Sequence, residues 1–339
     1  PFLSYERRFQ ANTKSVSLAV NGHEVKGKSI EYKQIRCINQ AKRGMIVLNV
    51  EWLGMGQLSD PNYTHYRANQ LDLCGASAVA PFYLSMKRSL DILLSQPHAD
   101  PARVAVSGLS GGGWQTIFIS GLDERVTLAN PVAGYSSFFT RAREPSDLGD
   151  TEQTPCDLAT VVDYLHLTAM RAPRPTLLTY NSKDTCCFRA DHAMQPLIDG
   201  AQPIFALYGA TDKLRWHVND EPGTHNFEQD NREAFYKMVG DHFYAGRAFD
   251  WHEIPCKDEV KTAEQLFVPL PANNENFNSL ARKLMADLPK KGASRDKLRQ
   301  IVHFQQYNAI PNLQPSEKID GVQITSLQLE CGKDWTIPG

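Results

Sequence analysis

A serine hydroxyl is a poor nucleophile at neutral pH unless a base takes its proton and a third group orients that base. The chain offers one ordered set of such groups: Ser110, Asp184 and His225. Ser110 lies in the run Gly108, Leu109, Ser110, Gly111, Gly112, a Gly-x-Ser-x-Gly pattern whose glycines permit a sharp, strained turn against close neighbours. The pattern is short, so its setting carries the argument. Val104, Ala105 and Val106 form an apolar run of the kind found in buried parallel strands, and a helical pattern opens at Trp114. Asp184 follows the apolar stretch 175–180, and His225 is presented by Pro222, Gly223 and Thr224 just before a helical stretch at 229–244. The order Ser, Asp, His is the one such a strand–turn–helix site uses. Ser110 is then the nucleophile, His225 the general base and later acid, and Asp184 the group that holds the imidazole tautomer. Asp191, Asp212 and His217 are rivals: Asp191 falls inside a predicted helix, Asp212 follows the next strand, which suits a variant placement of the acid, and His217 lacks the Pro-Gly-Thr turn.

The oxyanion of the tetrahedral intermediate needs preorganised donors. The Gly111 N–H, next after the nucleophile and at a helix N-terminus, is one candidate. The loop Asn21, Gly22, His23 after the first strand offers the second, the N–H of His23, with Gly22 allowing close backbone approach. Glu51, His65 and Trp114 are candidates for binding substrate. For Glu51 the competing role is to pin neighbouring loops, and for Trp114 it is core packing behind the turn.

The elements that must position these groups alternate. Strand patterns at 15–20, 45–50, 103–108, 126–132, 175–180 and 204–208 are separated by helical patterns at 30–42, 82–94, 114–121 and 190–198, with 229–244 as the last helix. This alternation predicts an α/β fold, a doubly wound and mostly parallel sheet with its functional loops on one edge. The long loop 54–81 and an insertion at 134–171 are expected to shape the pocket over that edge. After Tyr244 the pattern changes, which sets a catalytic domain at 1–245 and a C-terminal extension at 246–339, with short charged helices at 279–288 and 295–304. The chain starts Pro-Phe-Leu without a Met and stops in mid-pattern, so it reads as a processed or truncated product that continues in its parent.

Composition excludes several classes. A net charge of −2, from 36 Lys+Arg against 38 Asp+Glu, gives no nucleic-acid or anionic-membrane footprint. No apolar run approaches the roughly 18 residues of a membrane helix. The 7 cysteines, at 37, 74, 156, 186, 187, 256 and 331, fit no zinc spacing, and an odd count leaves one unpaired within a monomer. No P-loop or dinucleotide glycine pattern is present. The oligomeric state is not legible.

The chain resembles the α/β-hydrolase superfamily and, more narrowly, the acetyl xylan esterase-like bacterial hydrolases near the dienelactone-hydrolase and prolyl-oligopeptidase-like branches. The segments that carry the resemblance are 20–23, 48–56, 71–77, 106–113, 181–188 (Asn-Ser-Lys-Asp-Thr-Cys-Cys-Phe) and 222–227 (Pro-Gly-Thr-His-Asn-Phe), within 15–245. It implies an ester hydrolase acting on a small-molecule or carbohydrate ester, xylan O-acetyl groups among them, with no cofactor and with export to the periplasm or medium. The family's usual His-Gly-His is Asn21, Gly22, His23 here, its Asp is Glu51, and the strands expected before residue 15 are reduced. Two other functions suit the same residues: a serine peptidase or amidase, and a non-catalytic binding module using the tail after 245.

Overall fold

The computed structural model describes residues 13–289, 292–333 and 335–339. The strands expected before residue 15 fall largely outside the described residues. The chain divides into two compact units, Pro1–Ala286 and Asp287–Gly339.

The first unit is built on six strands: β1 (Lys14–Ala19), β2 (Ile46–Asn49), β3 (Ala99–Leu109), β4 (Leu128–Val132), β5 (Thr176–Asn181) and β6 (Leu214–Asn219). They lie in the order β2-β1-β3-β4-β5-β6, and every pairing is parallel. Parallel strands need crossovers that cover both faces, and the side chains show it. In β3, Val104 and Val106 join one apolar cluster with Trp114, Ile117 and Phe118, while Ala105 between them joins another with Phe235, Tyr236 and Val239. Successive strand residues point to opposite faces, so the sheet is buried between two helical layers. The helices are α1 (Glu31–Lys42), α2 (Asn69–Asp72), α3 (Ala80–Leu94), α4 (Gly111–Leu122), α5 (Phe138–Arg143), α6 (Tyr164–Ala169), α7 (Ala190–Leu207), α8 (Gln229–Phe243) and α9 (Phe277–Asp287). No described helix is long and apolar enough to cross a membrane.

Two expectations need correction. The stretch 204–208 is not a strand: α7 runs unbroken from Ala190 to Leu207, and the last strand is β6. The run Ile204, Phe205, Ala206, Leu207 is apolar enough for either state. Burial resolves it, because Ala201 and Phe205 are in the core at helical spacing while Leu207 is 81% exposed. Pro196 and Pro203 lie inside this helix. The second correction concerns the boundary at 245. The segment 246–286 is stitched to the first unit. Asn39 and Ile254 exchange two hydrogen bonds, at 3.1 and 2.8 Å, and Gln34 donates to Lys261 O at 2.8 Å. Arg232 forks onto Glu253, and Phe277 is buried in the main core. Proline-rich composition made this segment look like a linker, and its polar contacts with α1 and α8 were invisible to periodicity.

The second unit holds α10 (Arg295–Ile301) and an antiparallel meander of β7 (Ala309–Ile319), β8 (Val322–Cys331) and β9 (Trp335–Pro338). Asp320 and Gly321, both at positive φ (49° and 84°), close the β7–β8 hairpin between the paired Ile319 and Val322. This is the two-residue turn that Asp-Gly favours.

Candidate active site

Ser110 stands where β3 meets α4, with φ 60° and ψ −125°. That backbone is costly for a residue with a side chain. It is held on both sides: the Ser110 N–H donates to Val132 O at 2.9 Å, and Trp114 N–H donates to Ser110 O at 3.0 Å. A Cβ at Gly111 would lie 2.0 Å from the Trp52 ring, so any side chain there forces Trp52 to move. The hydroxyl carrier is thus lifted out of the sheet edge and aimed into a cavity of about 290 Å³, lined among others by Ser110, His225, His23, Asp150, Cys186 and Phe188.

His225 lies in the loop between β6 and α8. Its Nδ1 meets Asp184 Oδ2 at 2.7 Å. Asp184 follows β5 and its side chain is fully buried. Its Oδ1 accepts the backbone N–H groups of Cys186 (3.0 Å) and Cys187 (3.3 Å), and Asn181 Nδ2 reaches Oδ2 at 3.3 Å. Burial alone would raise the carboxyl's pKa, but the His225 hydrogen bond and charge and the Cys186 N–H outweigh it and hold the group below its usual range. Burial likewise opposes a charged His225, yet the Asp184 hydrogen bond and charge, with a smaller contribution from Cys186, raise its pKa above the usual value. The rival groups are elsewhere: His217 pairs with Asp230, and Asp191 with Arg189 and His192. Asp212 sits in the turn before β6.

The loop after β1 comes to the backbone beside Ser110. A Cβ on Gly22 would lie 2.5 Å from Leu109 O and 2.8 Å from Gly111 N, so the two proposed oxyanion donors belong to chains in van der Waals contact. Four side chains clamp this loop. Arg36 donates to Asn21 Oδ1 (3.1 Å), Val20 O (3.3 Å) and Ser107 O (3.0 Å), and Gln115 donates to Asn21 O at 2.6 Å. Lys33 donates to Gly22 O at 3.1 Å, and Asn21 Nδ2 reaches Asn49 Oδ1 at 2.7 Å. Desolvation, with repulsion from Arg36 next, lowers the Lys33 pKa to about 8. The Gly22→Ala variant should therefore fold but push the loop off Gly111. A kcat drop on the order of 10²-fold, the size of one lost oxyanion donor, is the expected result; a folded variant with wild-type kcat would contradict it.

His65 is brought to the site but beneath its surface. It is 7% exposed and packs edge-to-face on Trp52, which packs edge-to-face on His23 in turn. His65 Nδ1 lies 3.0 Å from Asp150 Oδ2 and 3.2 Å from Glu152 Oε1, and its Nε2 is 2.8 Å from Leu53 O. Burial would lower its pKa, but the two carboxylates and the carbonyl raise it to about 10. Asp150 also meets His23 Nε2 at 2.7 Å. Burial would raise the Asp150 pKa, and the two histidines hold it well below the carboxylate range. Asp150, Glu152 and Trp52 were not singled out from the sequence. Two of them come from the insertion 134–171, which has no strong periodicity to flag its contacts.

The remaining candidates are structural. Glu51 accepts the N–H groups of Lys28 (2.7 Å) and Gln57 (3.3 Å) under Gly27 and Gly56, so it pins two loops. The larger cavity that it borders, about 840 Å³, is lined by none of Ser110, Asp184 and His225. Trp114 is fully buried, donates to Tyr164 OH at 2.7 Å and packs on Phe82 and Phe118. It ties the turn's helix to the insertion and does not line the cavity.

Comparison with known proteins bears on the fold. Residues 79–169 match the acetyl xylan esterase family; that segment spans Ser110 and most of the insertion and ends before Asp184. No curated protein sequence matches the chain. Among solved structures, Methylesterase BT1017 superposes with a TM-score of 0.58 at 21% identity, over 76% of this chain and 54% of its own. The chain thus spans about half the length of that protein. A carbohydrate esterase family 15 glucuronoyl esterase from Caldicellulosiruptor kristjansonii superposes with a TM-score of 0.50 at 16% identity, over 76% of this chain and 78% of its own. Likeness at these identities speaks to the fold. The chain has the α/β-hydrolase fold, and its residues 79–169 match the acetyl xylan esterase family.

Proposed function

We propose that the protein is a serine carboxylic-ester hydrolase that removes small acyl groups, acetyl foremost, from carbohydrate. The observation that carries this reading is the Asp184–His225 pair opening on the same cavity as Ser110, with the oxyanion loop packed against Gly111. Ser110 Oγ attacks the ester carbonyl carbon while His225 Nε2 takes its proton. The carbonyl oxygen becomes an oxyanion held by the N–H groups of Gly111 and His23. The C–O bond to the sugar then breaks, and His225 returns the proton to the departing sugar oxygen. Water, deprotonated by His225, attacks the acyl-serine, and the carboxylic acid leaves as Ser110 is restored. Asp184 stays ionised throughout and stabilises the imidazolium. A cavity of about 290 Å³ suits a short acyl group better than a long chain or a peptide, and the family match over 79–169 supports acetyl.

Deacetylation of acetylated xylan oligomers, compared with methyl esters of uronic acids and with short peptides, tests the reading. Acetate release dependent on Ser110 is expected. Turnover of the uronate methyl ester or the peptide with none of the acetylated sugar would overturn the substrate assignment, and no turnover of any ester would overturn the esterase reading.

The pH profile follows from His225. The base must be neutral, and its pKa lies above the ordinary ~6.5. Activity is therefore full above that raised pKa and is lost as pH falls through it. The acidic limb of kcat/KM should be centred above about 6.5, and a limb centred below about 6 would count against His225 as the base.

A further inference from the structure

The two adjacent cysteines in the cavity wall have no part in the ester chemistry. In an extended chain, neighbouring side chains point to opposite sides. Here the chain is wrapped around Asp184 Oδ1, which accepts both the Cys186 and the Cys187 N–H. That turn swings both sulfurs to one side, where the Cys187 thiol donates to Cys186 Sγ at 3.3 Å and no disulfide joins them. They face His225: one Sγ from each cysteine and a ring nitrogen of His225 all lie within 4.8 Å of one another. Nδ1 of that ring is committed to Asp184, which leaves Nε2 as the free donor. A carboxylate behind a histidine in this way is the usual support of a metal-bound imidazole.

We propose that Cys186, Cys187 and His225 form a binding site for a thiophilic divalent cation of the zinc type. Zinc takes sulfur at ~2.3 Å and imidazole nitrogen at ~2.0 Å in a tetrahedron, so its ligand atoms sit between about 3.3 and 3.8 Å apart. The two sulfurs already stand 3.3 Å apart, and a His225 ring nitrogen lies within 4.8 Å of both. The fourth position faces the cavity and takes water. Binding displaces the two thiol protons to solvent and ties up the His225 lone pair that the proposed ester reaction needs, so an occupied site is an inhibited one. Thiolate donors select a soft or borderline cation over magnesium or calcium. The nearby His23, His65 and Asp150 do not form a second such site, because both His65 nitrogens already face protein oxygens.

The inhibitory consequence rests on the esterase reading, whereas the site itself does not. The test is cobalt(II) titration of the metal-free full chain, read by absorption. One equivalent should give a thiolate-to-cobalt charge-transfer band with tetrahedral ligand-field bands, and zinc should displace it. Cys186→Ser and Cys187→Ser should each weaken binding by at least about 100-fold, beyond the loss typical of an outer-shell partner, with thermal melts confirming that they fold. Cys186→Ala and Cys187→Ala supply the same test if a serine variant fails to fold. Absence of the band, or a band unchanged in the double cysteine variant, overturns the site. Ester cleavage with no such band refutes the site alone. A full thiolate band on cobalt addition, from a chain that cleaves no ester even when metal-free, establishes the site and refutes the esterase reading.

Discussion

Ser110→Ala is expected to lower kcat for a short acyl ester by about 10⁴–10⁶-fold with the fold intact. The size follows from geometry. The Ser110 backbone is held at φ 60° by hydrogen bonds to Val132 O and from Trp114 N, so alanine keeps the turn and loses only the nucleophile. The cavity, the oxyanion loop and the Asp184–His225 pair all remain. Residual turnover is then what His225-activated water and the oxyanion donors give unaided. A variant within tenfold of wild type would place the nucleophile elsewhere.

Asp184→Asn should cost on the order of 10⁴-fold in kcat, although the side chains are nearly isosteric. Asp184 Oδ1 accepts two N–H groups, from Cys186 and Cys187, and Oδ2 faces His225 Nδ1. An asparagine places its oxygen on the two N–H donors and turns its amide NH₂ toward Nδ1. The imidazole then accepts at Nδ1 and carries its proton on Nε2, which cannot take the serine proton. The same substitution removes the carboxylate that raises the His225 pKa, so the acidic limb of the residual activity should move down. Steady-state kinetics across pH checks both effects. A variant with near-normal kcat would show that the imidazole is oriented by some other group.

Legibility tracked contiguity. The turn at Ser110 is one uninterrupted strand–Gly-x-Ser-x-Gly–helix, so local pattern alone found it. Asp184 and His225 were proposed from order along the chain, and the structure pairs them at 2.7 Å, because the move from 204–208 to β6 still leaves His225 in the loop after the last strand. The insertion was expected to shape the pocket, and Ser146, Gly149, Asp150 and Gln153 do line the cavity, but the pairing of its acids with His23 and His65 was not legible. Asp150 and Glu152 sit in short turns without periodicity, and their partners His23 and His65 are some 85 residues or more away in sequence. Glu51 and Trp114 were noticed for their residue types, and the structure gives them hydrogen bonds to loops and core in place of the cavity. Cys186 and Cys187 matched no zinc spacing, because their third partner is brought in by the fold. The Asp320–Gly321 hairpin carried a readable signal, yet the proline-rich stretch before it drew attention away from strands.

The most direct test of the central claim is covalent labelling with a fluorophosphonate followed by peptide mass mapping. The account predicts one adduct per chain, on Ser110, formed more slowly as pH falls through the His225 pKa and absent from Ser110→Ala. An adduct on another residue, or undiminished labelling of Ser110→Ala, would contradict it.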